Sequence, residues 1–337
     1  MKRLICICAV LVLVQAGLAV LTHWQTGDEG SRSAKGPLLG LKSAEVDELV
    51  LEDGEGKRLL LKKDKEQWQL PELGSFPADS ARVQGLVDQL AGLQRGWPEG
   101  TTTEAATRFK VAADRFERKL TLRRQGADLG VVYFGSSPGL RKIYLRADKD
   151  PEIGTLNLTP HELELGLDAW IDTQVLALKS QQLVRVEMPE LRLERGEGGL
   201  QPTDLSATEE VVKERRDDLV RQLTGLTISS VLGGEAKAEY GLDNPALRYS
   251  VELEGGQRID YLFGQPPQPA GKEAQVPETP LQYVLKVSGR DQLFRVEAWQ
   301  VNELKGVKRA TLVQPKGQPP TEAGPAVASP GANGAAQ

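Results

Sequence analysis

The stretch LKSAEVDELVLEDGEGKRLLL, residues 41–61, has a counterpart in LKSQQLVRVEMPELRLERGEGGL, residues 178–200. Both begin with Leu-Lys-Ser and carry two apolar runs separated by turn-forming residues, which in the first copy are Asp53-Gly54-Glu55-Gly56. Two such runs around a glycine-containing turn are typical of a β-hairpin. The pair therefore predicts that two hairpins of the same kind begin two parts of the chain.

Three further pairs of similar segments follow the hairpins in the same order. They are LVDQLAGL (86–93) with LVRQLTGL (219–226), VYFG (132–135) with DYLFG (260–264), and KIYLRAD (142–148) with LQYVLKV (281–287). Four ordered matches at similar spacing indicate an internal repeat. We therefore expect two similar modules, at residues 41–177 and 178–313.

Each module is expected to contain one amphipathic helix. In the first module Asp79 is a favourable N-cap residue, and the apolar residues after it recur at helical spacing: Val83, Leu86, Val87, Leu90 and Leu93. In the second module Ser206 and Glu209 fit the capping-box pattern and predict a helix that begins there.

The strand-like segments of both modules are grouped rather than alternating strictly with helices. They are RKLTLRR, LGVVYFG and RKIYLRA in the first module, and LRYSVELE, IDYLFG and QYVLKV in the second. Grouping favours an α+β fold with antiparallel sheets over a doubly wound parallel sheet. The predicted fold is therefore two similar α+β modules in tandem, each an antiparallel sheet with a packed helix, after one N-terminal transmembrane helix.

Three other segments complete the predicted organisation. Residues 159–178 carry apolar residues at helical spacing and predict a helix that joins the modules, with Trp170 as a packing anchor between them. Residues 264–280 form a Pro-rich excursion within the second module. Residues 314–337 are rich in Pro, Gly and Ala and predict a disordered tail.

The N-terminus predicts a membrane anchor. Lys2 and Arg3 precede an apolar run at residues 4–21, which as a helix spans about 27 Å, enough to cross a hydrocarbon core. Basic residues before the run predict a cytoplasmic N-terminus. We therefore expect an anchor at residues 1–24, a polar linker at 25–40, and the rest of the chain on the periplasmic side of an inner membrane.

Other readings of this run are weaker. A cleaved signal peptide is the next alternative, because Gly17-Leu18-Ala19 loosely fits a cleavage site. A lipoprotein signal needs a cysteine after the run, but Cys6 and Cys8 lie inside it. A buried core helix is disfavoured by the basic start and the polar linker.

Composition excludes several functions. The net charge is −5, and the 42 basic residues are scattered among 47 acidic ones, so no nucleic-acid surface is indicated. The chain has two His and two Cys without metal-ligand spacing, and no glycine-rich nucleotide loop occurs. We therefore expect no cofactor and no metal.

One short motif raises the possibility of catalysis. Residues 133–140, YFGSSPGL, place Ser137 in a G-x-S-x-G pattern, the spacing of a serine hydrolase nucleophile. The following residue should donate its N–H to an oxyanion, but Pro138 has none. His161 lies after Ser137 in the order of such a triad, but too near in sequence for that fold. We interpret Ser137 as a turn residue, expect no catalytic residue, and expect that the protein is not an enzyme.

The chain resembles a known family in three long segments. They are FPADSARVQGLVDQLAGLQRG (76–96), TRFKVAADRFERKLTLRRQGADLGVVYFGSSPGLRKIYLR (107–146) and LDAWIDTQVL (167–176). Together they are similar to the bacterial family called domain of unknown function 4340, over about residues 41–312. The resemblance implies a membrane-anchored, envelope-facing protein of a kind often associated with ABC-type transport systems, including those linked to gliding motility. It assigns no catalytic residues.

The expected function is that of a non-enzymatic envelope protein with a single membrane span. Its modules would act as an interaction scaffold or accessory subunit of a membrane complex, such as an ABC-type transporter, with protein partners and the membrane as its contacts. The alternative is a module that binds an envelope glycan or lipid in a cleft between the two repeats.

Overall fold

The computed structural model describes residues 36–266 and 282–317. The chain divides between Asp172 and Thr173 into two compact units, called here the first and second units. The predicted anchor, most of the linker, most of the Pro-rich excursion and residues 318–337 lie outside the described residues. Within the described ranges, no helix has the length and apolar character needed to span a bilayer.

The first unit is built on an eight-stranded antiparallel sheet. The described part of the unit has ten strands: β1 (Glu48–Glu52), β2 (Arg58–Asp64), β3 (Gln67–Leu70), β4 (Phe76–Pro77), β5 (Val111–Ala112), β6 (Arg115–Phe116), β7 (Arg118–Arg124), β8 (Ala127–Phe134), β9 (Ile143–Ala147) and β10 (Ile153–Leu156). The sheet order is β10-β9-β8-β7-β1-β2-β3-β4, while β5 and β6 form a small separate ribbon. Its helices are α1 (Ser80–Ala91) and α2 (Thr103–Arg108).

The second unit contains a second eight-stranded antiparallel sheet. Ten strands lie in the described part of this unit: β11 (Leu183–Met188), β12 (Leu191–Gly196), β13 (Gly199–Pro202), β14 (Glu209–Val211), β15 (Ser230–Gly233), β16 (Leu247–Leu253), β17 (Arg258–Gly264), β18 (Gln282–Val287), β19 (Leu293–Glu297) and β20 (Val313–Pro315). The sheet order is β13-β12-β11-β16-β17-β18-β19-β15, and β14 pairs with β20. Its helices are α3 (Lys213–Thr224), α4 (Ala298–Gly306) and α5 (Arg309–Leu312).

Seven strands follow the same order in both sheets. Reading from β3, the first sheet runs β3-β2-β1-β7-β8-β9-β10, and the second runs β13-β12-β11-β16-β17-β18-β19. The eighth strands differ: β4 lies at one edge of the first sheet and β15 at the other edge of the second. In the second sheet β15 pairs with β19, the strand that corresponds to β10. In the described part of the first unit the same edge is paired only by an isolated β-bridge between Gly100 and Ile153 of β10. The expectation of two large antiparallel sheets is confirmed.

The strand register also corresponds between the sheets, and it is visible in one row of charges. In the first sheet, four residues face each other across β8, β7, β1 and β2: Asp128, Arg123, Glu48 and Lys62. In the second sheet the residues in register across β17, β16, β11 and β12 are Arg258, Glu252, Arg185 and Glu194. Each residue of the second row has the opposite charge to its counterpart in the first row. Both rows alternate in sign, and opposite charges on neighbouring strands stabilise a sheet.

A shared backbone contact positions the end of β8 and of β17. Gly135 follows β8, and a Cβ there would lie 1.9 Å from the carbonyl oxygen of Phe109. Gly264 ends β17, and a Cβ there would lie 2.0 Å from the carbonyl oxygen of Tyr240. Only glycine allows another segment of backbone to approach so closely. The glycine of the repeated Phe-Gly pattern is therefore required in both units by the close approach of another backbone segment.

Helix α1 begins where the sequence predicts. Asp79 is its N-cap, and the Asp79 carboxylate accepts a hydrogen bond from the Arg82 amide at 3.0 Å. The predicted apolar face is buried at Val83, Leu86, Val87 and Leu90.

We expect Asp79→Ala to lower the free energy of unfolding by about 1 kcal/mol, because the Arg82 amide loses its acceptor. Asp79→Asn, which keeps an acceptor oxygen, should retain most of that stability. Urea unfolding of the two variants and the wild type measures the difference. Equal losses in both variants would contradict a capping role.

The start of the second predicted helix was wrong. Ser206 and Glu209 make the expected contacts, since the Ser206 amide donates to the Glu209 carboxylate at 3.0 Å, but they close a turn rather than a helix. The chain then forms β14, which pairs with β20, and α3 begins only at Lys213. The β-branched residues Val211 and Val212 suit this extended path. Strand β20 also includes Gln314 and Pro315, which the composition assigned to the tail.

An ion pair holds β14 near the C-terminal part of the second unit and gives a pH prediction. Hydrogen bonds to the Glu209 carboxylate lower its pKa from 4.5 to about 2. The largest contribution comes from the Arg309 guanidinium, and the next largest from the Ser206 amide. Because this pKa is depressed in the folded chain, the stabilisation is present above pH 4.5 and is lost as the pH falls through about 2.

An NMR titration of the Glu209 side-chain carboxyl carbon should therefore show a midpoint near 2 in the wild type and a higher midpoint in Arg309→Gln, still below the ordinary value because the Ser206 amide keeps its bond to Glu209. A midpoint near 4.5 in the wild type would contradict the role assigned to Arg309.

The predicted helix at residues 159–178 was also wrong. The segment contains only short 3-10 turns at Pro160–Leu163 and Leu167–Ala169. Side chains from elsewhere in the unit bind its carbonyl groups: Arg118 donates to the Leu163 carbonyl at 3.0 Å. The backbone is extended at Gly166, with a ψ of 127°, so a helix cannot continue through this residue.

Candidate functional site

Ser137 lies in the connection between β8 and β9. Its hydroxyl is 2.6 Å from the carbonyl oxygens of both Gly139 and Lys142, and the Gly139 amide donates to it at 3.4 Å. The hydroxyl therefore closes a turn within its own connection. Pro138 follows Ser137, so no amide is available there to stabilise an oxyanion.

His161 has a separate partner. Its Nδ1 lies 2.5 Å from the Glu164 carboxylate, and the ring is exposed. The hydrogen bonds of Ser137 and of His161 thus involve different residues. The described part of the chain also contains no group of three or more His, Cys, Asp or Glu side chains that could hold a metal ion.

The structure reveals a hollow in the first unit that the sequence did not indicate. The first hollow is lined by residues 38–39 before β1, residues 128–131 of β8, and the turn 147–150 after β9, and it has a volume of about 310 Å³. The turn is fixed by a hydrogen bond from the Asp148 amide to the Val131 carbonyl at 2.9 Å.

The carboxylates of the first hollow are all paired within the unit. Asp128 accepts from Arg123 at 2.6 Å, Asp148 accepts from the Tyr133 hydroxyl at 2.9 Å, and Asp150 forms an ion pair with Arg95. The pKa of Tyr133 is raised to about 12, mainly because the phenol is buried and secondly because it binds Asp148. This phenol therefore stays a donor at neutral pH. The acidic groups of this hollow are therefore engaged in structural contacts.

Arg146 explains the shape of that turn. Its guanidinium donates to the carbonyl oxygens of Ala147, Asp148 and Asp150 at 3.0 to 3.1 Å. The same group lies 5.0 Å from the centre of the Tyr133 ring. A rigid guanidinium with five donors is well suited to holding several carbonyl groups at once.

The second unit has a hollow at the corresponding place. The second hollow is lined by residues 175–178 before β11, residues 257–261 at the start of β17, and the turn 287–290 after β18, and it has a volume of about 630 Å³. Its turn is fixed by the same bond, from the Ser288 amide to the Asp260 carbonyl at 2.9 Å. The two hollows therefore share a backbone frame.

The side chains of the second hollow are different. Arg290 takes the place of Asp150 and donates to the Val175 carbonyl at 2.8 Å. Asp260 is paired with Arg258 at 3.1 Å, and Tyr261 forms part of the wall. Burial raises the pKa of Tyr261 to about 12. The same frame thus carries an acidic, internally paired lining in one unit and a basic lining in the other.

Three large apolar side chains are well exposed in the described residues. Trp97 is 66% exposed in the loop after α1, Leu140 is 93% exposed beside the Ser137 turn, and Trp299 is 60% exposed in α4. Exposed tryptophans mark contact sites more often than exposed aliphatic residues do, because they supply much apolar area in a rigid side chain.

Comparison with known proteins gives one match. A family model described as "Domain of unknown function (DUF4340)" matches residues 68–245. The matched range begins at Trp68 in β3 and ends before β16, so it includes parts of both units and is shorter than the expected 41–312. No curated protein and no solved structure matched the chain.

Proposed function

This chain belongs to the DUF4340 family, and we propose that it is a membrane-tethered, non-enzymatic interaction scaffold of the bacterial envelope. In this proposal residues 1–24 span the inner membrane with the N-terminus in the cytoplasm. The two units then lie in the periplasm as copies of one module, and serve as an accessory subunit of a membrane complex such as an ABC-type transporter.

The observation that carries the proposal is the repeated frame with divergent linings. Seven strands keep one order in both sheets, yet the charge row is reversed and the equivalent hollows carry different side chains. Such divergence is what two copies need in order to present different surfaces. The bonds of Ser137 to carbonyl groups of its own turn support a structural role for that serine.

The exposed tryptophans are the proposed contact points with protein partners. Trp97 and Trp299 belong to different units, so each copy offers one aromatic anchor. Contact energy at protein interfaces is concentrated in a few residues, among which Trp is enriched.

Site-specific photocross-linking in intact cells tests this proposal. A photoreactive residue at position 97 or 299 of the full chain should cross-link to one integral membrane protein. Position 55, in the exposed hairpin turn after β1, is the matched control and should give no such product. Labelling that is equal at all three positions would contradict a specific interface.

The orientation has its own test. A periplasm-dependent reporter fused after Gln337 should be active, and a cytoplasm-dependent reporter at the same position should be silent. The opposite pair of results would overturn the proposed location.

A further inference from the structure

Two tyrosines stack in the core beside the second hollow. Tyr249 in β16 and Tyr261 in β17 face each other across the sheet, with ring centres 4.6 Å apart. Both are at least 97% buried. The Tyr249 hydroxyl is buried without a hydrogen-bond partner in the described residues, whereas Tyr261 lines the second hollow.

The fold itself does not require these hydroxyl groups. The residues in register at the same place in the first sheet are Leu120 and Val132, which are apolar and fully buried. A buried hydroxyl without a partner destabilises a protein, because it has lost its hydrogen bonds to water. The second unit therefore carries a buried hydroxyl, that of Tyr249, whose cost the common frame does not explain.

Arg290 supplies the second, independent observation. It lines the same hollow as Tyr261, and its positive charge opposes the rise in the pKa of that phenol. Its guanidinium makes one hydrogen bond, to the Val175 carbonyl, and it has no ion pair within the described residues. A guanidinium has five donor hydrogens, so most of them are available to a ligand.

The other charges of the second hollow do not cancel this one. Asp260 is bound by Arg258, which also pairs with Glu187 at 3.1 Å. The Ser288 hydroxyl accepts from the Asp260 amide at 2.8 Å and keeps its own hydrogen for a further acceptor. The unpaired charge of the lining is therefore positive.

Polar groups form the larger part of the remaining wall, and the partly exposed apolar side chains in it are Val175, Leu178 and Ile259. The volume of about 630 Å³ lies within the range of small-molecule sites. An anion with an apolar body would suit a hollow of this composition.

We propose that the second hollow binds a small organic carboxylate, with its carboxylate on Arg290 and its apolar body against Val175, Leu178 and Ile259. The phenol of Tyr261 and the hydroxyl of Ser288 are donors to the same anion. This site goes beyond the interaction scaffold proposed above, and it lies wholly within the second unit.

Calorimetric titration of the full chain in lipid nanodiscs with benzoate tests the site, with empty nanodiscs as the blank. Benzamide is the neutral control of the same shape. Benzoate should bind at least tenfold more tightly than benzamide, and inorganic phosphate should bind more weakly than benzoate. Equal binding of benzoate and benzamide, or tighter binding of phosphate than of benzoate, would overturn the proposal.

Variants locate the binding. Arg290→Gln should lower the affinity for benzoate at least tenfold, and Tyr261→Phe, which removes one hydroxyl only, should lower it several-fold. Arg221→Gln changes an exposed arginine of α3 outside the hollow and should leave the affinity unchanged. If neither Arg290→Gln nor Tyr261→Phe changes the affinity for benzoate, the assignment of the binding site to the second hollow is overturned.

Stability gives a second readout. Tyr249→Phe removes the unpartnered hydroxyl and should raise the melting temperature of the unliganded chain. A lower melting temperature would show that the hydroxyl has a structural partner, against the argument. Cross-linking at positions 97 and 299 does not involve Arg290, so failure of the site leaves the scaffold proposal standing, and the reverse also holds.

Discussion

Gly135→Ala is expected to lower the free energy of unfolding by about 3 kcal/mol or more. The added Cβ would lie 1.9 Å from the carbonyl oxygen of Phe109 and 2.7 Å from that of Lys110. Both are backbone atoms, so relief requires the chain to move rather than a side chain to rotate. Lys110 also has a positive φ of 58°, which leaves this segment little freedom to adapt.

Gly264→Ala should have an effect of the same size in the second unit. There the Cβ would lie 2.0 Å from the carbonyl oxygen of Tyr240, beside Gly241 with a φ of 66°. If the two units share one frame, neither glycine can be replaced without loss.

Two other glycines are matched controls. A Cβ at Gly139 or at Gly85 would meet nothing within 4 Å. Gly139→Ala should be nearly neutral, and Gly85→Ala, in the exposed interior of α1, should stabilise by roughly 0.5 to 1 kcal/mol. Chemical unfolding of the full chain measures all four variants. A loss below about 0.5 kcal/mol in Gly135→Ala would contradict the close backbone contact.

Trp170→Ala is the second large effect, with an expected loss of about 3 to 5 kcal/mol. Trp170 is 0% exposed, and its indole N–H donates to the Glu164 carbonyl at 2.8 Å. The Arg82 guanidinium from α1 lies 4.4 Å from the ring centre. Removing the indole would leave a cavity, an unpaired carbonyl and an arginine without its aromatic contact.

Two substitutions separate these contributions. Trp170→Phe keeps much of the apolar area but loses the bond to Glu164, so its loss should be intermediate. Trp97→Ala removes an exposed tryptophan and should change the stability by less than about 0.5 kcal/mol. Equal losses for Trp170→Ala and Trp97→Ala in urea unfolding would contradict the packing role. That Trp170 is an anchor between modules stays a prediction.

Local patterns were sufficient for much of the fold. RKLTLRR corresponds to β7 and QYVLKV to β18, and in each strand three consecutive residues in the middle are buried, so both faces of the strand are covered there. The hairpin of β1 and β2 followed from its turn, where the Asp53 carboxylate accepts from the amides of Glu55 and Lys57. In each case the residues that determine the element lie within it.

Elements that depend on distant residues were missed. β14 exists because β20 pairs with it, about a hundred residues away in the sequence, and that pairing displaced a capping-box signal. Residues 159–178 have helical periodicity, but side chains bind carbonyl groups of the segment: Arg118 binds that of Leu163, and Trp170 binds that of Glu164. Tertiary contacts outweighed local preference at both places.

The hollows could not be predicted from any single motif. Each is formed by several separate segments of the sequence, and its turns carry no catalytic pattern. Ser137 attracted attention because its motif is local. A usable signal did exist in the repeat, since aligning the two copies places Tyr249 and Tyr261 opposite Leu120 and Val132.

The central claim is that the two units are one frame in one register with different surface chemistry. The charge row tests it, because Glu48 lies between Arg123 and Lys62 just as Arg185 lies between Glu252 and Glu194. Glu48→Arg alone places like charges side by side and should lower the free energy of unfolding of the first unit by up to about 1 kcal/mol.

The decisive measurement is urea unfolding of the variant in which the whole first row is reversed: Asp128→Arg, Arg123→Glu, Glu48→Arg and Lys62→Glu. This variant copies the signs of the second row, so its stability should return to within about 0.5 kcal/mol of the wild type. If the fourfold variant instead loses as much as the sum of its single changes, the four side chains do not interact as one row, and the register on which the comparison of the two units rests is contradicted.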